Sequence, residues 1–353
     1  MLGLGYVGLP TAAVLATRGQ RVAGVDLRRD VLDTINAGQI HIVEPELDAL
    51  VRAAVAAGTL RAVPQPVPAR TYLLCVPTPI TPDHRPDLSF VEAAARAIVP
   101  VLQPGALVVL ESTVPPGTLR DLVAPIVCDN LRGGGLVPGR DIFLAHAPER
   151  VLPGAVLREV VENERIVGGL TDACTARCAE FYEAFARGQV HRCSAEVAEL
   201  TKLAENAFRD TNVAFANELA NVCAHLGLDV WEVIRLANRH PRVQILRPGP
   251  GVGGHCIAVD PWFIAASAPD DTPLIQAARR VNDGRPERII AQVRALAARL
   301  RRPKVACLGL TYKPDIDDLR ESPSLHIAQA LAAEPEQELL LVEPHLHTSP
   351  IPG

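Results

Sequence analysis

Gly253-Gly254-His255-Cys256-Ile257-Ala258-Val259-Asp260 sets a thiol four residues ahead of a carboxylate, behind a pair of glycines. The glycines admit a backbone or a ligand at close range. A cysteine at a helix N-terminus is biased towards thiolate by the helix dipole. Asp260, one turn on, falls on the same helix face. The stretch therefore pairs a nucleophile with a base towards water. The competing reading makes Cys256 one more small apolar residue in a core, the usual fate of a cysteine outside a disulfide.

Lys202 and Asn206 are also four apart, and Arg209 and Asp210 continue roughly the same stripe. On an Ala-rich helix such a stripe is either a wet face or a row of ligands. Only three lysines occur, Lys202, Lys304 and Lys313, with Arg at almost every other basic position. A lysine retained in such a chain points to a need for a compact ammonium. That group can hydrogen-bond a developing oxyanion.

Gly3-Leu4-Gly5-Tyr6-Val7-Gly8 fits GxGxxG and opens a helix. Gly3 permits the tight turn, Gly5 lets amides approach a pyrophosphate, and Gly8 lets helix and strand pack closely. Asp26 ends the next strand at the spacing of a ribose-binding carboxylate, which favours NAD over NADP; Arg28 and Arg29 behind it keep NADP open. Thr78 in VPTP and Thr113 in ESTVPPG follow strand C-termini, where ligands gather in open α/β sheets; simple turn chemistry is the alternative. Glu149 in HAPERVLPG, and Lys313 and Arg320 in LTYKPDIDDLRES, are polar clusters after strands, each equally readable as a solvated loop.

The elements that must position these groups follow from periodicity. Buried strands are expected at Thr71–Val76 and Ala106–Leu110, with a helix between them at Ser89–Leu102. Continuous apolar strands alternating with helices imply a parallel, Rossmann-like sheet covered on both faces. A long helix runs from Ser194 to about Leu226, capped by Ser194 and ended by Gly227. Asp229 and Glu232 form a capping box for the next helix. Helix is expected to about residue 295, apart from the Pro- and Gly-rich loop 239–254. A second α/β pattern follows, with a strand near 303, a helix at Ser322–Ala333 and a strand at Glu338–Val342. The expected division is 1–193, 194–298 and 299–353: a Rossmann-like α/β domain, a helical domain and a partial Rossmann-like α/β domain. Only Met1 and Leu2 precede the first turn, and one βαβ unit is a poor domain. Both ends are therefore expected to be cut short.

With 48% apolar residues the chain can fill a sizeable core, and with 4% aromatics that core is mainly Ala, Val and Leu. A net charge of −5 gives no sign of nucleic acid or an anionic membrane as partner. No apolar run approaches the roughly 18 residues of a membrane span, and no secretory pattern opens the chain. A cytoplasmic location is the expectation. The eight cysteines are scattered without a CxxC and read as reduced thiols. Cys174 and Cys178 sit four apart but lack a second Cys or His pair, so no metal is expected.

Together these motifs resemble the UDP-glucose/GDP-mannose dehydrogenase family. GLGYVGLP, VPTP, ESTVPPGT, PERVLPG, TKLAENAFRDTNVAFANE, GPGVGGHCIAVDP and KPDIDDLRES occur in the family's order over essentially the whole chain. INAGQIHIVEPEL, WEVIRLANRHPRVQILRPGPGVGGHCIAVDPWFI and LRESP are most similar to members acting on UDP-N-acetyl-D-mannosamine. The resemblance implies a four-electron, NAD-dependent oxidation of a UDP-sugar to a uronate for cell-surface polysaccharide synthesis, in a homodimer or higher homo-oligomer built on the long helix. It implies Cys256 as a nucleophile passing through thiohemiacetal and thioester, Lys202 as oxyanion stabiliser and Asp260 as activator of water. Glu149, Arg150, Val151, Asn206, Arg209, Gly253 and Lys313 would line the substrate site, with His240 and Arg242 reaching a neighbouring subunit. Tyr6, Val7, Asp26, Thr78, Thr113 and Arg320 would contact NAD. Pro153 stands where UDP-glucose members carry a second glutamate, which argues against UDP-glucose. UDP-N-acetylglucosamine and UDP-glucose are the alternative substrates, and a nucleotide-binding dimer without activity is the non-enzyme alternative.

Overall fold

The computed structural model describes residues 1–353 except 130–134, 152–153, 315, 317, 335–336, 347–349 and 352–353. Pro153 thus lies outside the described residues. The chain forms two compact units, Met1–Leu203 and Ala204–Gly353.

In the first unit the strands are β1 (Val22–Val25), β2 (Leu60–Val63), β3 (Thr71–Leu74), β4 (Leu107–Leu110), β5 (Phe143–His146), β6 (Arg165–Gly169) and β7 (Val190–Ser194). The run LVVL of β4 is buried at every position, as a central parallel strand requires. β1 pairs β2, β3 pairs β4 and β4 pairs β5, all in parallel. Leu2 bridges Val25 on one side and Leu74 on the other. One residue thereby does the work of the first strand and joins β1 to β3. The helix Gly8–Thr17 packs onto this sheet through a nearly continuous buried surface that includes Leu9, Ala12, Ala13 and Leu15.

The sheet is parallel but for one pairing. β6 runs antiparallel to β5, through Ala145↔Gly169 and His146↔Gly168 only, and β7 then runs parallel to β6. Apolar periodicity is blind to strand direction when both faces are buried.

The long helix Ala195–Leu226 starts in this unit, with Ser194 Oγ accepting from Val197 N at 3.4 Å. One turn before Lys202, buried Glu199 accepts from the amides of Gly117 at 2.6 Å and Leu119 at 2.9 Å, which ties the helix to the loop after β4. Burial pushes the Glu199 carboxyl up to about 7 from 4.5, against the pull of those two donors. The folded chain then holds more protons than the unfolded chain between these values. Stability is full below 4.5 and is lost as pH rises towards 7. Glu199→Gln is expected to flatten this slope, seen as urea midpoints that change less between pH 5 and pH 8 than in the parent.

In the second unit Gly227, at φ 69°, ends the long helix as its position predicted. Asp229 caps the helix Val230–Ala237 by accepting from Trp231 N at 2.9 Å. The expected capping box is only half made, because Glu232 turns to Arg235 at 3.2 Å. Helices Asp260–Ser267, Pro273–Asp283 and Arg285–Ala297 follow. Strands β8 (Lys304–Leu308) and β9 (Glu338–Val342) pair in parallel around the helix Pro323–Ala332. Ile327 and Leu331 of that helix bury themselves against Ile290 of Arg285–Ala297. Among the described residues no helix is long and apolar enough to cross a membrane.

Candidate functional site

The first unit presents a dinucleotide cradle. Gly3 has φ 89°, and a Cβ there would lie 2.4 Å from the Cys75 carbonyl oxygen. A Cβ on Gly8 would lie 1.9 Å from the Gly3 carbonyl oxygen, so the helix sits directly on the turn. Gly5 is exposed, with no atom within 4 Å of the equivalent position, which leaves its backbone open to a pyrophosphate. Tyr6 is exposed and Val7 half-buried beside it. At the tip of β1, Asp26 accepts from Leu4 N at 3.2 Å and Arg28 N at 3.0 Å. These bonds aim the carboxylate over the turn. Half-buried Thr78 and Thr113 lie just past the C-terminal ends of β3 and β4. The residues present fit NAD. Asp26→Ala is expected to raise the KM for NAD by about 10- to 100-fold, the worth of a hydrogen bond to a charged group, with kcat little changed; initial rates against NAD concentration check this.

Past β5, Glu149 is buried and Arg150 and Val151 are half-buried. Burial pushes the Glu149 carboxyl up, while Arg165 and, more weakly, Lys202 pull it down. Arg165 Nη1 stands 3.6 Å from Glu149 Oε2, and its guanidinium lies 5.1 Å from the centre of the Tyr182 ring. Tyr182 Oη donates to Glu111, and Cys75 Sγ donates to the same carboxylate at 2.9 Å. Sequence reasoning did not single out Arg165, Tyr182 or Glu111. Their signal was a charge at the end of an apolar strand, Arg165 opening RIVGG and Glu111 closing LVVLE.

The second unit holds the thiol. Cys256 is the only cysteine among the described residues that is exposed, which removes the reading of it as core filler. Its carbonyl accepts from Asp260 N at 2.9 Å, so it stands one turn ahead of the helix Asp260–Ser267. Asp260 is buried, and Asn206 Nδ2 donates to its Oδ2 at 2.6 Å. The expected thiol–carboxylate turn is therefore present, with an asparagine holding the carboxylate. Gly253 and Gly254 lie against Tyr312, and Gly254 N donates to Arg320 O at 3.0 Å. Lys313, half-buried, follows Tyr312 directly. The Arg320 guanidinium is exposed and pairs with Asp318 at 2.6 Å.

The stripe on the long helix divides. Asn206 and Asp210 are buried, whereas Arg209 is exposed and Lys202 half-buried. His240 and Arg242 are exposed on the loop after Val230–Ala237, away from Cys256 in sequence, where Arg242 N donates to His240 Nδ1 at 3.3 Å.

Models of one family match three stretches of the chain. They are the UDP-glucose/GDP-mannose dehydrogenase family's NAD binding domain at residues 1–186, its central domain at 196–284 and its UDP binding domain at 306–352. The chain is 54% identical over 353 residues to the NDP-N-acetyl-D-galactosaminuronic acid dehydrogenase of Ralstonia nicotianae, covering 99% of this chain and 84% of that one. It is 51% identical over 361 residues to the UDP-N-acetyl-D-mannosamine dehydrogenase of Escherichia coli K12, covering 99% and 86%. Among solved structures, the UDP-N-acetyl-mannosamine dehydrogenase of Staphylococcus aureus superposes with a TM-score of 0.90 at 41% identity, covering 99% and 83%.

Proposed function

Because the chain belongs to the UDP-glucose/GDP-mannose dehydrogenase family, and is an NAD-dependent nucleotide-sugar dehydrogenase, we propose that it oxidises UDP-N-acetyl-D-mannosamine at C6 to the uronate through a thioester on Cys256. The observation that carries this reading is the exposed thiol one turn ahead of a buried carboxylate fixed by Asn206. The relatives named above support the substrate class. A role in cell-surface polysaccharide synthesis, a homo-oligomer built on the long helix and a division at 193 and 298 belong to the same reading.

NAD, held at Gly3–Gly8 with Asp26 on its ribose, would accept two electrons in each of two successive oxidations. The residues do the rest. The Lys202 ammonium hydrogen-bonds the C6 oxygen as it gains negative charge, and Glu149, beside Arg165, lines the same sugar. Once the first oxidation has turned the C6 alcohol into the aldehyde, the Cys256 thiolate adds to it: the C–S bond forms as the C=O π bond opens, and the oxygen takes a proton from solvent to give a thiohemiacetal. Oxidation of that adduct leaves a thioester, so the aldehyde is retained between the two steps. Asp260, oriented by Asn206, takes a proton from the water that attacks the thioester carbon. The C–S bond breaks, releasing the carboxylate and returning the thiolate. Arg150, Val151, Arg209, Gly253 and Lys313 contact the nucleotide sugar; Tyr6, Val7, Thr78, Thr113 and Arg320 contact NAD; His240 and Arg242 reach a second copy.

Two NADH are expected per sugar consumed, with UDP-N-acetyl-D-mannosamine the best substrate by kcat/KM. The comparison must include UDP-N-acetylgalactosamine, because one relative carries a galactosaminuronic acid name, as well as UDP-N-acetylglucosamine and UDP-glucose. A stoichiometry of one, with free aldehyde released, defeats the thioester route. Binding of NAD and every sugar nucleotide without reduction defeats the enzymatic reading.

A further inference from the structure

Asn206 and Asn217 lie eleven residues apart on the long helix, about three turns, and so share one face. Asn206 holds Asp260, at the far end of the segment that carries the thiol. Asn217 holds the near end: its Oδ1 accepts from Gly249 N at 2.8 Å. Arg285 completes the grip, its Nε donating to Gly249 O at 3.0 Å and its Nη1 to Asn221 on the same helix. Both backbone groups of Gly249 are thus occupied.

The side chains behind this grip are themselves fixed. Asn217 is fully buried, and its Nδ2 donates to Asn282 Oδ1 at 2.9 Å. Asn282 Nδ2 in turn donates to Asp210 Oδ1 at 2.8 Å and to Asp210 O at 3.0 Å. Between the two asparagine anchors the loop passes close against neighbouring groups at its glycines. A Cβ on Gly251 would lie 3.2 Å from the Asn282 carbonyl oxygen, and one on Gly253 would lie 2.5 Å from the Glu321 carbonyl oxygen. From Gly254, held by the Arg320 carbonyl, only two residues remain to Cys256.

We infer that Asn217 is a positioning residue for the Cys256 thiol, acting through Gly249 and the glycine segment, with Arg285 as its partner. The inference rests on the nucleophilic role given to Cys256 above. Asn217 touches no reacting atom. It sets where the strapped segment begins, and hence where the thiol stands relative to the first turn of Asp260–Ser267.

The test uses the full-length protein with Asn217→Ala and, where that variant does not fold, Arg285→Lys. Expected for the substituted enzyme is a kcat for uronate formation lower on the order of 10²-fold, the cost of a small misplacement of a reacting group, with the KM for the sugar nucleotide within about threefold of the parent. Alkylation of Cys256 by iodoacetamide, followed by peptide mass spectrometry, should slow roughly tenfold at pH 7. At pH 10, where the thiol is ionised in both proteins, it should match the parent. An activity loss that only tracks the unfolded fraction, with an unchanged alkylation profile, overturns the inference. So does parent-like turnover in both variants. Parent-like turnover by Cys256→Ser would instead remove the nucleophile role, which keeps the two failures apart.

Discussion

Replacing Cys256 by serine is expected to lower steady-state uronate formation by at least about 10³-fold, while the first oxidation of the alcohol still occurs. A serine hydroxyl at the same place is far less ionised and adds poorly to an aldehyde. The second oxidation, which needs that adduct, therefore stalls. The effect is expected in kcat rather than KM, because the thiol forms its bond only after the sugar is bound. A burst of one NADH per site followed by near-arrest, monitored in a stopped-flow instrument, is the predicted record. Unimpaired steady-state turnover by the serine variant would leave the exposed thiol without a catalytic role.

The largest expected effect on stability comes from Arg279. It is almost wholly buried, donates to Asp210 at 2.6 Å and pairs with Asp283 through its other terminal nitrogen. Burial pushes the Asp210 carboxyl up, and Arg279 and the Asn282 amide pull it down. Arg279→Ala strands that carboxylate in the interior and is expected to cost about 3–5 kcal/mol. Pairing Arg279→Met with Asp210→Leu removes both charges and is expected to cost well under the sum of the two single changes. Urea denaturation of the three variants measures this. Because Asp210 and Asn282 also stand behind Asn217, Arg279→Ala should slow alkylation of Cys256 as well.

The sequence carried the sheet well where local pattern decides structure. GxGxxG demanded a turn, and the run LVVL demanded burial, because each rests on a few neighbouring residues. The first strand reduced to Leu2 is supplied by pairing with Val25 and Leu74, which no window of sequence contains. The reversal of β6 is invisible for the reason given above. At the site, the thiol, Asp260 and Asn206 were legible from four-residue spacing. The asparagines at 217 and 282 were not, since an amide in an apolar helix looks alike whether it faces water or another amide. Arg165 beside Glu149 depends on two strands meeting. Glu232 chose Arg235 over the cap, because an exposed i,i+3 ion pair competes on nearly equal terms with a reciprocal capping bond.

The most direct test of the account is mass spectrometry of the intact protein quenched during turnover with UDP-N-acetyl-D-mannosamine and limiting NAD. The account predicts a mass increase equal to one nucleotide sugar as an acyl or hemithioacetal adduct, mapped by peptide digestion to Cys256 and absent from Cys256→Ser. Turnover that yields the uronate with no adduct at any time point, or an adduct on a different residue, would contradict it.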